Sequence, residues 1–549
     1  MSVDKTQNDE LNIHKSPKDL TSVTTKTTEN LDLQSQADEI FYHDSRLSSS
    51  LSSRLISMIS LVGVIGTGLF LSSGGTLATA GPLGMIISYI FVATVIGANQ
   101  IAVTEVTCLM PITSGYIRHA EHFVDHSLGF AMGICNIYSA VIPTELSAVV
   151  LIMTYWTDLS PAVFVTIFGI VIVVINSYNV RWYGEIEFCF GVLKILLVIC
   201  LIIVGLVIDL GGAPNHDRLG FRYWKDPGLF SERYATGSLG RFLGIWKSVG
   251  TAVYTFSGIQ SVCLLAGESE YPRRAIYRAA KRVFYRIAIL YFTTVLVLSM
   301  IVSHTDLAIS KPDGTARGSA FVVAIQRSGI KVLPHIVNAV VLTSALSAAN
   351  LDIIRSSRII YALASKRQLP KIFLKVNNYG LPYVAVAFCC SFLPLAYMTA
   401  NATSAAVFSW FQNITSSCTL LNWSIISINH ISMSRALRAQ GYTRDDLPYK
   451  FAGGEFAAYY SLFFAIIFLL TGGFPVFIKG YWQFSTFFSS YFIIPLVLIF
   501  YTFGKLFWKT KLKSPHDVPL KPLFFDVQQR PEPPYPKLKG WQKLTWLWA

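Results

Sequence analysis

Charge is scarce in this chain. Only 14% of its residues are Asp, Glu, Lys or Arg, whereas 52% are apolar in the broad sense that counts alanine and cysteine. A water-soluble domain of that composition would expose more apolar surface than water tolerates, which excludes both intrinsic disorder and an ordinary soluble enzyme. Cysteine offers no framework either. Cys108, Cys135, Cys189, Cys200, Cys263, Cys389, Cys390 and Cys418 all fall within apolar segments, with neither a disulfide scaffold nor zinc-ligand spacing among them. The chain has no Gly-x-Ser-x-Gly elbow, and the carboxylates within its apolar runs are scattered singly, so neither a membrane-embedded enzyme nor a bound cofactor is expected. The net charge of +14 would suggest nucleic acid in a soluble protein. Here the positions of the bases argue for a lipid bilayer instead, and no nucleic-acid partner is expected.

What the chain has is apolar runs. They lie near 53–73, 82–110, 127–155, 161–179, 186–210, 243–267, 283–303, 332–363, 381–399, 404–431, 456–478 and 485–507. Twelve spans of about 20 residues use about 240 residues, leaving room for loops and tails within a chain of 549. The expectation is an all-α polytopic membrane protein with twelve transmembrane helices. Residues 51–510 form the twelve-helix membrane domain, 1–50 a disordered cytoplasmic tail and 511–549 a second cytoplasmic tail. Residues 1–50 carry nine acids and five bases and too little apolar surface to offset the entropy of ordering. Without an apolar stretch they form no signal peptide, and the first span itself directs insertion.

Orientation follows from Lys and Arg in the short loops. Bases cluster after the sixth span (Arg273, Arg274, Arg278, Lys281, Arg282), after the eighth (Lys366, Arg367, Lys371, Lys375) and after the tenth (Arg435, Arg438, Arg444, Lys450). These alternate loops are read as cytoplasmic, and both termini with them. His122 and His126, four residues apart with His119 nearby, lie in the loop before the third span, where solvated histidines are a better reading than a metal site.

The first span is interrupted by Val62-Gly63-Val64-Ile65-Gly66-Thr67-Gly68. Each glycine weakens a helix by about 1 kcal/mol. Close packing through small residues is one reading of two glycines, but three glycines and a threonine point to a break. An unwound turn leaves free N–H groups at the start of the second half-helix, where the dipole also favours negative charge. Ile65, Gly66, Thr67 and Gly68 are therefore candidates to bind a substrate carboxylate. A second interruption, Phe256-Ser257-Gly258-Ile259-Gln260, falls in the sixth span. That span is the counterpart of the first if spans 1–5 and 6–10 form an inverted repeat, and paired interruptions are the sequence signature of a transporter site. Ser257, Gly258 and Gln260 join the candidate site through carbonyls suited to an ammonium. Phe256 is either a lid over the substrate or an ordinary core or lipid-facing aromatic.

Glu105, Glu145, Glu187, Lys194 and Asp352 also fall inside apolar runs, where a charge is costly unless paired or hydrated. Glu187 and Lys194 are seven residues apart, two helical turns along one face. Lys194 either lines a polar seam or reaches the cytoplasmic headgroups.

The chain resembles the fungal amino-acid permeases of the amino acid–polyamine–organocation superfamily, from about Arg54 to Pro519. The resemblance rests on Gly66-Thr67-Gly68, Pro143-Thr144-Glu145-Leu146-Ser147-Ala148 and Tyr183-Gly184-Glu185-Ile186-Glu187-Phe188. It also rests on the outer-loop stretch from Pro214 to Trp224, on Ala266-Gly267-Glu268, and on Ser347-Ala348-Ala349-Asn350 with Ser356-Ser357-Arg358. It implies a LeuT-like five-plus-five inverted repeat with two additional helices, and proton-driven uptake of amino acids across the plasma membrane. In similar transporters a lysine of the fifth span occupies the place of a coupling sodium, which makes Lys194 a coupling candidate, with Glu145 its competitor. The lysines Lys5, Lys15, Lys18 and Lys26 of the N-terminal tail are by the same resemblance candidate ubiquitin acceptors for a ubiquitin ligase, or else simple solubilising residues.

The chain also departs from that pattern. Gln260 stands where the family commonly has a glutamate, so a titratable carboxylate is missing beside the candidate site, which argues for neutral or acidic amino acids over cationic ones. The usual Asn-Pro-Arg and Ile-Pro-Arg patterns appear as Tyr271-Pro272-Arg273 and Ile276-Tyr277-Arg278, and Leu351 follows Asn350 where serine is common. These substitutions motivate a second reading, a transport-weak nutrient sensor on the same scaffold, which the short tails disfavour.

Overall fold

The computed structural model describes residues 30–41, 65–112, 114–177, 180–260, 263, 271–310, 319–377 and 380–533. Gly63, the motif Ala266-Gly267-Glu268, Arg317-Gly318 and the four N-terminal lysines lie outside them. Among the described residues every regular element is helical. The principal helices are α1 (residues 30–41), α2 (Ser73–Leu109), α3 (Gly115–Phe123), α4 (His126–Val141), α5 (Thr144–Met153), α6 (Pro161–Ser177), α7 (Val180–Asp209) and α8 (Gly237–Thr255). They continue with α9 (Pro272–Ile301), α10 (Leu333–Ser365), α11 (Tyr383–Cys390), α12 (Ser404–Ala439), α13 (Gly454–Thr471), α14 (Phe484–Tyr491), α15 (Ile493–Trp508) and α16 (Leu520–Gln529).

The outer faces of α6, α7, α13 and α15 expose large apolar side chains such as Ile170, Val174, Leu196, Ile203, Phe463, Leu470, Leu498 and Leu506. Such faces suit lipid, not water. By length and composition seven helices of the described residues can cross a membrane, or eight if the bent pair α14 and α15 counts as one span. The remaining expected spans fall short of that measure for physical reasons. α6 is apolar but only 17 residues long, and α8 and α12 carry serines, threonines, asparagines and Lys247 among their apolar residues.

Breaks are placed where the backbone requires them. Within α2, Gly81 has φ +76°, and a Cβ there would lie 2.7 Å from Phe230 Cα, so only glycine fits. Pro82 follows with no N–H to donate, and the loop between α7 and α8 closes on the corner through Leu83 N to Leu229 O (3.1 Å) and Ser231 N to Ala80 O (3.2 Å). The described end of the expected first span, continued from Gly68 to Ala80, turns at this corner into the second, and residues 53–64 of the first span lie outside the described residues. The third span is broken at Ile142-Pro143, which puts Glu145 in the first turn of α5, where the helix dipole favours a carboxylate.

Both tails hold more order than their composition predicts. α1 lies within the stretch read as disordered, with Ala37 and Ile40 buried and the Ile40 carbonyl accepting from Arg118 Nη2 at 3.2 Å. In the C-terminal tail, α16 buries Leu520, Leu523 and Phe524 in a cluster shared with Ile40, Leu109, Phe123 and Leu437. Asp526 accepts from Arg273 at 2.6 Å. The Glu532 carboxylate accepts from Arg273 N (2.9 Å) and Arg274 N (2.7 Å) at the start of α9, an anion on a helix N-terminus. These segments order because they dock, a contribution that local composition does not register.

Candidate functional site

After Ile65 and Gly66 the chain enters a π-helical turn, Gly68–Ser72, before α2 begins. α8 ends at Thr255, and the chain turns through Phe256 to Gln260, with Gly258 at φ +96°. The two breaks touch because Gly68 has no side chain. A Cβ there would lie 2.8 Å from Thr255 Cα and 3.1 Å from Tyr254 Cδ1, whereas a Cβ on Gly66 would meet nothing within 4 Å. Gly68 is thus a packing glycine and Gly66 faces open space.

Between the breaks lies a narrow cleft of about 70 Å³ lined by α4, α5, α10 and α12 as well as by both breaks. Gly66, Thr67, Gly68, Ser257, Gly258, Gln260 and Glu145 line it. Ile65 and Phe256 do not. Both are about 1% exposed, and Phe256 packs between the rings of Tyr89 (6.1 Å) and Tyr291 (5.1 Å), which suits a core aromatic.

Glu145 joins the two breaks. Thr67 Oγ1 lies 3.1 and 3.0 Å from its carboxylate oxygens, Tyr254 OH donates to Oε1 at 3.0 Å, and Thr67 and Tyr254 are themselves 2.9 Å apart. Tyr254 was not singled out from the sequence, because a tyrosine one residue before a helix end reads as core. Deeper in the cleft Arg355 donates to Asp352 at 2.7 Å, and Asn136 and Asn422 exchange amide hydrogen bonds at 2.8 and 2.9 Å. Arg355 was likewise missed, although an acid and a base three residues apart in an apolar run are a readable ion pair. Two buried polar atoms of cleft-lining residues have no partner among the described residues, the acceptor Oε1 of Gln260 and the donor Nε of Arg355. A zwitterion offers one group of each complementary kind.

Lys194 is fully buried and outside the cleft lining. Its Nζ donates to Ser347 Oγ at 2.8 Å, and that hydroxyl donates to Glu187 Oε1 at 2.6 Å, which links α7 to α10. The seam reading of Glu187 and Lys194 matches this geometry, and a lysine extended to headgroups does not. Glu105 is structural: it accepts from Arg444 Nη2 at 2.6 Å and Phe451 N at 2.7 Å and contacts His430 Nε2 at 2.6 Å, pinning the loop before α13. Of the three histidines before the third span, His119 is buried, His122 is half-buried and His126 is partly exposed, its side chain beside Glu121. His119 meets the Met110 carbonyl at 2.8 Å, and burial pushes its imidazole down to about 4 and that of His122 to about 3. No group of three metal-ligating side chains forms among the described residues.

A chain whose described elements are all helical, with several helices apolar enough to cross a bilayer and a polar cleft among them, has the architecture of a membrane transporter. The chain belongs to the amino acid permease family, whose model matches residues 56–516. It is similar to a dicarboxylic amino acid permease of Saccharomyces cerevisiae, 38% identical over 89% of this chain and 82% of the relative. A proline-specific permease of the same yeast is 38% identical over 85% and 76% of the two chains. A lysine/arginine permease of Candida albicans is 34% identical over 83% and 81%. These relatives are transporters, not enzymes, and amino-acid transport in a membrane is the activity that membership supports.

Proposed function

We propose that the chain is a proton-coupled importer of neutral or acidic L-amino acids in the plasma membrane. It works by alternating access on a LeuT-like five-plus-five repeat with two further helices, twelve spans in all and both termini cytoplasmic. The observation that carries this reading is Glu145, an acid of the cleft with no basic partner among its hydrogen bonds, tied to Thr67 of the first break and Tyr254 beside the second. Three mutual contacts among Thr67, Tyr254 and Glu145 need three protons. An ionised carboxylate leaves two, from the threonine and the tyrosine, and a protonated one supplies the third. Gain and loss of that proton therefore tighten and loosen the contact between the breaks, which is the element that must move when the cleft changes its open side. Lys194, bonded through Ser347 to Glu187, is the second coupling candidate because it ties α7 to α10 beside the cleft.

The substrate's carboxylate is assigned to the backbone amides of Gly66, Thr67 and Gly68 and its ammonium to Ser257, Gly258 and Gln260. Gln260 in place of an acid favours neutral and acidic substrates, in keeping with the dicarboxylic and proline-specific relatives. Uptake of isotope-labelled amino acids into cells, with and without a proton gradient, tests the reading. Gradient-dependent accumulation is expected. Saturable binding without accumulation would identify the sensor instead. The lysines Lys5, Lys15, Lys18 and Lys26 are proposed as acceptors for a ubiquitin ligase that controls surface lifetime. Replacing all four by arginine should prolong residence after a nutrient shift, and an unchanged lifetime refutes that role.

A further inference from the structure

A second cavity, of about 230 Å³, lies along the same helices as the cleft and shares no lining residue with it. It is reached by moving along α2 from Gly68 to Ser72 and Thr76, along α8 from Thr255 back to Thr251 and Lys247, and along α12 from Thr415 back to Gln412 and Asn413. Since α8 begins at the outer loop, this is the vestibule on the outer side of the breaks. Among the described residues Lys247 is its only charged lining residue. The same side chain lines a smaller cavity of about 30 Å³ beside Asn413, Thr471 and Ser490, which also has no acid in its wall among the described residues.

The neighbours of Lys247 are pinned. Trp246 Nε1 donates to Thr471 Oγ1 at 2.8 Å and Ser248 Oγ reaches the Thr76 carbonyl at 3.5 Å, so the lysine between them is held toward the cavities. No hydrogen-bond or ion-pair partner of Lys247 exists among the described residues. Arg241, one and a half turns earlier on the same helix, is by contrast paired with Glu232 at 2.9 Å. A cation inside a membrane protein without an internal counter-charge calls for water or an anion, and a cavity with one sign of charge concentrates solutes of the other.

We infer that Lys247 is the anion-reading group of the outer vestibule. It takes the side-chain carboxylate of an incoming acidic amino acid, raises the capture of acidic over neutral substrates and disfavours cationic ones. This rests on the reading of the chain as an amino-acid importer and names its substrate class.

The test uses the full chain in proteoliposomes, with initial uptake rates for labelled L-aspartate, L-proline and L-lysine in the parent and in Lys247→Gln and Lys247→Arg. Loss of one charge-assisted hydrogen bond predicts that Lys247→Gln lowers kcat/KM for aspartate about tenfold or more while proline changes less than about twofold, with the arginine variant retaining most aspartate uptake. An unchanged aspartate-to-proline ratio in Lys247→Gln, or a parent that carries proline but not aspartate, overturns the inference. If the parent carries no amino acid the importer reading fails. The inference is then decided by equilibrium binding of aspartate to the purified protein, which must weaken in Lys247→Gln and not in Lys247→Arg. Replacing chloride by gluconate separates the remaining source of anion. A chloride requirement that vanishes in Lys247→Gln would assign the site to an inorganic ion and overturn the inference.

Discussion

Gly66 and Gly68 sit two residues apart in one break, yet a single methyl group should affect them in opposite ways. At Gly68 the new Cβ falls 2.8 Å from Thr255 Cα and 3.2 Å from Thr255 Oγ1, and backbone cannot step aside cheaply. Overpacking of this kind costs about 1–3 kcal/mol, and the gain from restricting the unfolded chain returns about 0.4–1 kcal/mol. Gly68→Ala is therefore expected to lose about 0.5–2 kcal/mol of stability and to move Thr67 away from Glu145 and Tyr254. At Gly66 the methyl meets nothing within 4 Å, so Gly66→Ala should fold like the parent while filling the space next to the amides assigned to the carboxylate. Losing one charge-assisted bond there weakens binding about tenfold, and losing two about a hundredfold. Thermal unfolding of the detergent-purified variants together with equilibrium binding of labelled substrate separates the effects: a lowered midpoint for Gly68→Ala, and a parental midpoint with lost binding for Gly66→Ala. Parental affinity in Gly66→Ala would refute the assignment of the carboxylate to this break, and parental stability in Gly68→Ala would refute the close approach of α8.

Other outcomes follow from the hydrogen-bond geometry. Tyr254→Phe removes one of the three protons shared with Thr67 and Glu145, so the pH profile of uptake should shift while surface expression stays near the parent's; an unmoved profile would contradict the shared-proton account. Lys194→Met keeps the length and removes the ammonium that holds Ser347, and it should bind substrate yet lose gradient-driven accumulation. If Lys194→Met accumulates substrate with the parent's pH dependence, coupling belongs to Glu145 alone.

The breaks were legible because three glycines in an apolar run have no cheaper explanation, and six of the eight substrate-site candidates line the cleft. Phe256 was not legible in the same way, since an aromatic beside a break is a lid or a core residue depending on where Tyr89 and Tyr291 lie, and both are more than thirty residues away in the chain. Glu105 shows the same limit. It reads as an unpaired membrane acid until Arg444 and His430, over three hundred residues later, are placed beside it. Membrane spans are legible through hydropathy only when they are continuous and apolar, which is why α8 and α12, lined with hydroxyls and amides for the cleft and vestibule, fail that measure. The helix of residues 30–41 lay hidden because its stability comes from α16 and Arg118, not from its own polar sequence.

The central claim is that a proton moves with the amino acid through Glu145. Proteoliposomes holding the purified chain and a lumenal pH-sensitive dye test it when labelled substrate is added outside, with entry of label and lumenal acidification read together. The account predicts that both occur in the parent, and that Glu145→Gln, which keeps the shape but cannot release the proton, binds substrate without acidifying the lumen. Label entering at the parent's rate with no acidification, or acidification undiminished in Glu145→Gln, would contradict it.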